Sequence, residues 1–113
     1  MPDPVIGEIW YGDLSPIVGH EQAGQRPLLV VSIDRFNRSP AGLVVVLPVT
    51  STLRNIPWHV SISPPEGGLT VPSAVLCEAI RSISQDRLRR RLGAVSRATL
   101  QVVQSRLRML LDL

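Results

Sequence analysis

The sequence contains no lysine and only one cysteine, and these shortages exclude several classes of protein. A single cysteine, Cys77, cannot form an intrachain disulfide or a cysteine-based zinc site, which is typical of proteins in a reducing compartment. The two histidines, His20 and His59, lie far apart, so a histidine site for a metal would need carboxylates to complete it. Dinucleotide-binding, phosphate-loop, zinc-protease and serine-hydrolase motifs are also absent. We therefore predict that the protein uses no metal and no cofactor.

Long apolar runs are missing as well. The longest, such as residues 43–49, are far too short to span a bilayer. The first eight residues lack the basic stretch and apolar run of a secretory signal. With 113 residues, 44% of them hydrophobic, the chain can bury one core without disulfides. We predict a single domain over residues 1–113 that is soluble, cytoplasmic and free of membrane contact.

Positive charge is concentrated in one part of the chain. All twelve basic residues are arginine, and the formal net charge is +3. Residues 81–113 alone contain eight arginines and two acidic residues. A GC-rich genome, which favours arginine codons, explains the missing lysine but not this clustering. Because guanidinium groups suit phosphate and keep their charge at any working pH, the clustering indicates an affinity for polyanions.

Hydrophobic periodicity predicts a mainly β (α+β) protein. Apolar and β-branched runs separated by polar loops predict five strands, at residues 6–14, 26–33, 43–50, 58–63 and 74–83. Helices are predicted at residues 85–92, ended by Gly93, and from the N-cap Ser96 to Leu111. The second helix has an apolar stripe of Leu100, Val103, Leu107, Leu110 and Leu111. These elements favour a strongly bent, barrel-like sheet with the helix packed across it, and a dimer would account for the high apolar content.

One pair of residues stands out as a candidate site. Arg26 begins the second predicted strand, before Pro27, and Thr50 ends the third. If these strands are antiparallel neighbours, the two side chains meet at one edge of the sheet. Arginine donates charge-assisted, bidentate hydrogen bonds to phosphate, and a threonine hydroxyl can donate to a non-bridging oxygen. The alternative is that Arg26 pairs with Glu21 and that Thr50 only fills a strand end.

Several motifs resemble those of the MazF/PemK toxins, the endoribonucleases of bacterial toxin–antitoxin pairs. The most specific is E-Q-A-G-Q-R-P at residues 21–27. It is accompanied in matching order by G-E-I-W-Y-G-D-L-S-P at 7–16, V-V-V-L-P-V-T-S at 44–51, G-G-L-T-V-P-S-A-V-L at 67–76 and I-R-S-I at 80–83. The resemblance covers nearly the whole chain.

The resemblance implies an SH3-like barrel with C-terminal helices that forms a homodimer, with single-stranded RNA along the dimer interface. It also implies metal-free, sequence-specific cleavage by attack of the 2′-hydroxyl on the adjacent phosphate, and neutralisation by an acidic antitoxin. Arg26, Thr50 and Glu21 match the family's catalytic positions, and Thr50 orients the phosphate. Arg26 either stabilises charge alone or also protonates the leaving group, and the electrostatic role is favoured because a guanidinium is a poor proton donor. We further assign RNA binding to seven residues: His20, Gln22, Gln25, Ser51, Thr52, Trp58 and Arg81.

Two residues depart from the family pattern. Ala79 replaces a common glutamine, so contacts from that amide would be lost. His20 replaces a common serine or threonine, and it is either a general base near neutral pH or a surface residue. Trp58 either stacks on a base or packs in the core, and His59 is interpreted as a packed or surface residue.

Two other functions remain open at this level. One is a CcdB-like toxin that binds DNA gyrase without cutting RNA, and the other is an RNA-binding barrel that has lost catalysis. The Arg26–Thr50 pair favours the nuclease, because a gyrase inhibitor needs no phosphate site.

Overall fold

The computed structural model describes residues 2–14 and 24–113, which fold around one antiparallel sheet. Within these residues the strands are β1 (Glu8–Asp13), β2 (Gln25–Val30), β3 (Leu43–Thr50), β4 (His59–Ile62), β5 (Ser73–Leu76), β6 (Arg81–Ser84) and β7 (Leu88–Ala94). The helices are α1 (Asp34–Asn37) and α2 (Arg97–Leu111). Single 3-10 turns lie at Glu66–Gly68, Cys77–Ala79 and Gln85–Arg87.

The strand order is β4-β5-β3-β2-β1-β7, and β6 also pairs with β3. Strand β3 is the centre of the sheet because its first half pairs with β6 and its last residues pair with β5. Pro48 lies between these two pairings, where the missing N–H of a proline is tolerated best. The predicted mainly β class is confirmed, in the form of an open sheet with a C-terminal helix.

The sheet buries apolar side chains on both faces. Ile9, Leu29 and Val49 belong to one core cluster, whereas their strand neighbours Trp10 and Leu28 belong to a second. Because successive strand residues point to opposite faces, this alternation explains why β2 and β3 are almost continuously apolar in sequence. The first cluster also contains Cys77, where burial raises the pKa of the thiol to about 11, so this cysteine stays protonated and unreactive.

Helix α2 packs on the first cluster through Val103, which is fully buried. Its predicted N-cap is confirmed, because the Ser96 hydroxyl accepts a hydrogen bond from the Thr99 amide at 3.1 Å. Leu111 was expected in the apolar stripe but is 47% exposed, since the helix ends there and Asp112 turns away in the left-handed conformation. In the described part of the chain, no helix is long and apolar enough to cross a membrane.

The helix predicted at residues 85–92 is wrong. After the turn at Gln85–Arg87 the chain forms β7, which pairs antiparallel with β1. Leucine and arginine favour helices locally, but pairing with the open edge of β1 supplies the backbone hydrogen bonds instead. Gly93 therefore ends no helix. A Cβ there would lie 2.7 Å from backbone atoms of Gly67 and Gly68, so the glycine permits a close backbone approach.

The strand predicted at residues 74–83 is two strands. The turn at Cys77–Ala79 separates β5 from β6, which pair with opposite halves of β3. An apolar run in the sequence does not indicate where a strand changes its partner. This division, together with β7 in place of the predicted helix, explains why the sequence predicted five strands where the described residues form seven.

Candidate active site

Arg26 and Thr50 lie at the same edge of the sheet. Strands β2 and β3 are antiparallel neighbours in a register that pairs Leu28 with Pro48. The paired positions end at Leu28 and Pro48, and Arg26 and Thr50 each lie two residues beyond this pair, at the same edge. Both residues line the same two cavities. The Thr50 Oγ1 accepts a hydrogen bond from the Thr52 amide at 3.1 Å. Since the oxygen is held as an acceptor, the hydroxyl hydrogen can be donated outward.

Two cavities meet at this pair of residues. The larger, of about 500 Å³, and the smaller, of about 270 Å³, share Arg26, Thr50 and Thr52 in their walls. A chain-like ligand that runs from one cavity into the other must therefore pass the guanidinium of Arg26 and the hydroxyl of Thr50. This arrangement suits a polymer with charge along its backbone.

The larger cavity is rich in hydrogen-bond donors. Its described walls carry two arginines and no acidic residue. The polar side chains are Tyr11, Gln25, Arg26, Thr50, Ser51, Thr52, Thr70, Ser73 and Arg90. The Ser73 hydroxyl donates to the Val71 carbonyl at 2.9 Å, which holds the wall segment before β5. Positive charge beside several hydroxyl groups is suited to a phosphate and its attached sugar.

The start of helix α2 anchors a turn that leads into one wall of this cavity. The Glu66 carboxylate accepts a hydrogen bond from the Ser96 amide at 2.9 Å, joining the Glu66–Gly68 turn to the start of α2. Hydrogen bonds from the Thr99 side chain, and then from Ser96, lower the pKa of Glu66 despite its partial burial. The turn is thus anchored just before Leu69 and Thr70, which line the cavity.

The smaller cavity contains a histidine–carboxylate pair. The His59 Nε2 lies 2.9 Å from Glu78 Oε2, and the His59 side chain is only 7% exposed. Its Nδ1 is buried and has no hydrogen-bond partner among the described residues. Arg54 is also in this wall, so the smaller cavity contains both signs of charge. The carboxylate at Nε2 therefore fixes the orientation of the imidazole ring in the wall of the cavity.

Comparison with known proteins identifies the family. The sequence profile of the PemK-like, MazF-like toxin of type II toxin–antitoxin systems matches residues 6–111. The chain belongs to this family. It is 43% identical over 112 residues to "Endoribonuclease MazF9" of Mycobacterium tuberculosis, covering 95% of both chains.

Solved structures of MazF proteins have the same fold. MazF from Deinococcus radiodurans superposes with a TM-score of 0.89 at 31% identity, and the match covers 100% of both chains. An endoribonuclease from a mycobacterial species, solved in complex with its cognate antitoxin, superposes with a TM-score of 0.80 at 31% identity. That match covers 97% of this chain and 96% of the other. The predicted membership of the MazF/PemK family is confirmed.

The structure brings some of the predicted MazF-type site residues together and separates others. Gln25, Ser51 and Thr52 line the larger cavity with Arg26 and Thr50. Trp58 and Arg81 line neither cavity: Trp58 is half-buried beside His59, and Arg81 lies on β6 opposite Val46. Three predicted residues lie outside the described part of the chain: His20, Glu21 and Gln22.

Sequence reasoning missed His59, Glu78 and Arg90. His59 and Glu78 are separated in sequence and meet only because β4 pairs with β5, with His59 opposite Leu76. Arg90 was placed on a helix, where nothing would direct it toward Arg26. Among the described residues, no group of three histidine, cysteine or acidic side chains could hold a metal ion.

Proposed function

We propose that this chain is an endoribonuclease toxin that cleaves single-stranded RNA at a short specific sequence, without a metal ion, and thereby stops translation and growth. The observation that carries the proposal is that Arg26 and Thr50 lie at one edge of the sheet, where the two cavities meet. The endoribonuclease names of relatives such as MazF9 support RNA cleavage as the reaction.

The geometry supports in-line transfer of a phosphoryl group. The 2′-oxygen attacks the adjacent phosphorus, and the bond to the 5′-oxygen of the next nucleotide breaks. A 2′,3′-cyclic phosphate and a 5′-hydroxyl result. One proton leaves the 2′-hydroxyl and one is delivered to the departing 5′-oxygen. The Arg26 guanidinium stabilises negative charge on the non-bridging oxygens, and the Thr50 hydroxyl donates to one of them.

Arg26 is assigned an electrostatic role rather than a proton transfer. A guanidinium stays protonated at working pH, so it is a poor general acid. Its planar fork is well suited to two oxygens of the phosphate in the transition state. Glu21 remains a candidate catalytic residue by family resemblance, and the His59–Glu78 pair lies in the adjoining cavity.

The proposal extends to the partners of the toxin. A cognate antitoxin is supported by the mycobacterial endoribonuclease that was solved with its antitoxin. We propose that the antitoxin of this chain is acidic, because the chain has a net charge of +3 with its arginines concentrated in residues 81–113. A homodimer is proposed from the exposed apolar side chains of α2, including Val102 and Met109, which at 41% and 63% exposure suit a partner surface. The cytoplasmic location stays a prediction.

Removal of each catalytic side chain tests the proposal. Purified wild-type protein and the variants Arg26→Ala and Thr50→Ala are incubated with a long single-stranded RNA in excess EDTA. Each variant should lose about a hundredfold in rate, equivalent to roughly 3 kcal/mol of transition-state stabilisation. Thr50→Ser should retain more activity than Thr50→Val, because serine keeps the hydroxyl whereas valine keeps only the shape.

Arg38→Ala is the matched control, since Arg38 is an exposed arginine that lines neither cavity. It should cleave within about twofold of wild type. Cleavage by Arg26→Ala within threefold of wild type would show that Arg26 is misassigned. An intact RNA with the wild-type protein would instead favour a CcdB-like gyrase inhibitor or a silent RNA-binding barrel.

A further inference from the structure

Three consecutive arginines on β7 have different surroundings. The Arg91 Nε donates to Glu8 Oε2 at 2.6 Å, and Arg89 Nη1 donates to the Asp86 carbonyl at 3.2 Å. Burial raises the pKa of Glu8, but hydrogen bonds from Arg91, the Val5 amide and Trp10 lower it more, so the Arg91 partner is ionised. Arg90 has no hydrogen-bond or ion-pair partner within residues 2–14 and 24–113 and lines the larger cavity.

Two irregularities in the pairing of β7 with β1 give Arg90 this direction. The register pairs Arg91 with Trp10 and Arg90 with Tyr11, then passes over Arg89 to pair Leu88 with Gly12. Cross-strand partners share a face of the sheet, and Tyr11 lines the larger cavity. The register also passes over Leu92, between the pairs Ile9–Gly93 and Trp10–Arg91. The skips at Leu92 and Arg89 together set Arg90 beside Tyr11, because an unbroken register from either end would pair Tyr11 with Arg91 or with Arg89.

The two cavities differ in charge. The larger cavity contains the guanidinium groups of Arg26 and Arg90 and no carboxylate in its described walls. The smaller cavity contains the guanidinium groups of Arg26 and Arg54, but the Glu78 carboxylate in its wall reduces this positive charge and repels a phosphate. If the scissile phosphate lies at Arg26 and Thr50, a neighbouring phosphate of the same RNA is accommodated better on the Arg90 side.

We infer that Arg90 binds the RNA phosphate next to the scissile one, and so fixes the side of the site on which the RNA backbone lies. This inference rests on the proposed function. The RNA backbone then runs along the exposed edge strand β7. Two bound phosphates, rather than one, orient the base at the scissile position. Tyr11 pairs with Arg90 on one side and with Pro27, the neighbour of Arg26, on the other, and it lines the same cavity.

Binding of a non-cleavable RNA tests this inference. The oligonucleotide carries a 2′-O-methyl group at the mapped cleavage site, which blocks the attack while leaving the phosphates intact. Arg90→Ala should raise the Kd about tenfold, the usual loss for one hydrogen-bonded charge pair. The slope of log Kd against log salt should fall by about 0.7, as expected for one lost phosphate contact on a single strand.

Arg89→Ala is the matched control, because it removes the same charge one residue away. It should change the Kd less than about twofold, since Arg89 is bonded to the Asp86 carbonyl and lines neither cavity. Equal losses in the two variants would mean that general charge, and not a phosphate contact of Arg90, attracts the RNA, and the inference would be overturned.

Neutral methylphosphonate linkages, placed one at a time, locate the contacted phosphate. In the wild type, the linkage beside the scissile one should weaken binding about as much as Arg90→Ala does. In Arg90→Ala, that linkage should cost nothing further, whereas every other linkage should cost the same in both proteins. Additive losses at every linkage would refute the assignment.

The outcomes separate this inference from the proposed function. A wild-type protein that cleaves RNA, together with an Arg90→Ala variant that binds like Arg89→Ala, contradicts only the second phosphate site. If the wild-type protein cuts no RNA, there is no mapped cleavage site, and binding is measured with a random-sequence oligonucleotide instead. Binding to that oligonucleotide with the predicted Arg90 dependence would contradict only the proposed catalysis. A wild-type protein that binds no RNA contradicts both.

Discussion

A methyl group added at Gly68 should separate the turn at Glu66–Gly68 from β7. A Cβ on this residue would lie 2.0 Å from the Leu92 carbonyl oxygen and 2.5 Å from its carbon. Gly68 also has a φ of +73°, which L side chains rarely adopt. Because both clashing groups are backbone, no rotamer change relieves the contact, and the turn must move away from the strand.

Two matched variants divide the expected cost. Gly42 has a φ of +68° and open space around its Cβ position, so Gly42→Ala measures the conformational strain alone, about 1 kcal/mol. Gly93 has no positive φ but meets Gly67 and Gly68 at 2.7 Å, so Gly93→Ala measures the close approach, roughly 2 kcal/mol. Gly68→Ala combines the two effects and should cost about 3 kcal/mol or more.

Urea unfolding followed by tryptophan fluorescence measures these costs, since Trp10 is only 3% exposed and reports the core. A destabilisation of about 3 kcal/mol should lower the Tm by roughly 12 °C in a domain of this size. Gly68→Ala should also lose cleavage activity at temperatures where it stays folded, because Leu69 and Thr70 form a wall of the larger cavity. If Gly68→Ala is no less stable than Gly42→Ala, the turn does not pack against β7 and this reasoning is wrong.

Three further predictions concern pH, metal ions and the antitoxin. Since the pKa of Glu66 is lowered in the folded state, its stabilising contribution is present at neutral pH and is lost as the pH falls below the ordinary range of a glutamate pKa. Urea titrations of Glu66→Gln should lack this part of the acid dependence. Cleavage should survive excess EDTA, and activity that returned only with Mg²⁺ would contradict the metal-free reaction. The acidic antitoxin should occupy the RNA site by placing its carboxylates where RNA has phosphates. Its association rate, measured by surface plasmon resonance, should then fall steeply between about 50 and 500 mM salt while its dissociation rate changes little. An association rate that does not depend on salt would argue against this mode of binding.

The proposed role of His20 gives a fourth. If His20 is the general base, the cleavage rate should fall below about pH 6.5, and His20→Ser should flatten that acidic limb. An unchanged pH profile in the variant would leave His20 as a surface residue.

Local sequence determined the parts of the fold that depend on neighbouring residues. The apolar runs of β2 and β3 predicted buried strands, and Ser96 predicted the start of α2, because strand burial and N-capping are set within a few residues. That Arg26 and Thr50 lie at one edge of the sheet also followed from sequence, since it required only that two consecutive strands be antiparallel neighbours. The family motifs then gave this pair a chemical meaning that spacing alone did not supply.

Tertiary structure decided what depends on partners distant in the chain. Residues 88–94 form a strand only because the edge of β1 is available, although their leucines and arginines favour a helix. Gly93 must be a glycine because the backbone at Gly68, 25 residues earlier in the chain, approaches it too closely for a side chain. His59 reaches Glu78 only through the pairing of β4 with β5. The direction of Arg90 depends on bulges that break the alternation of β7. Long-range pairing supplies hydrogen bonds and close contacts that outweigh local preference, so these features of the site could not be predicted from the order of residues alone.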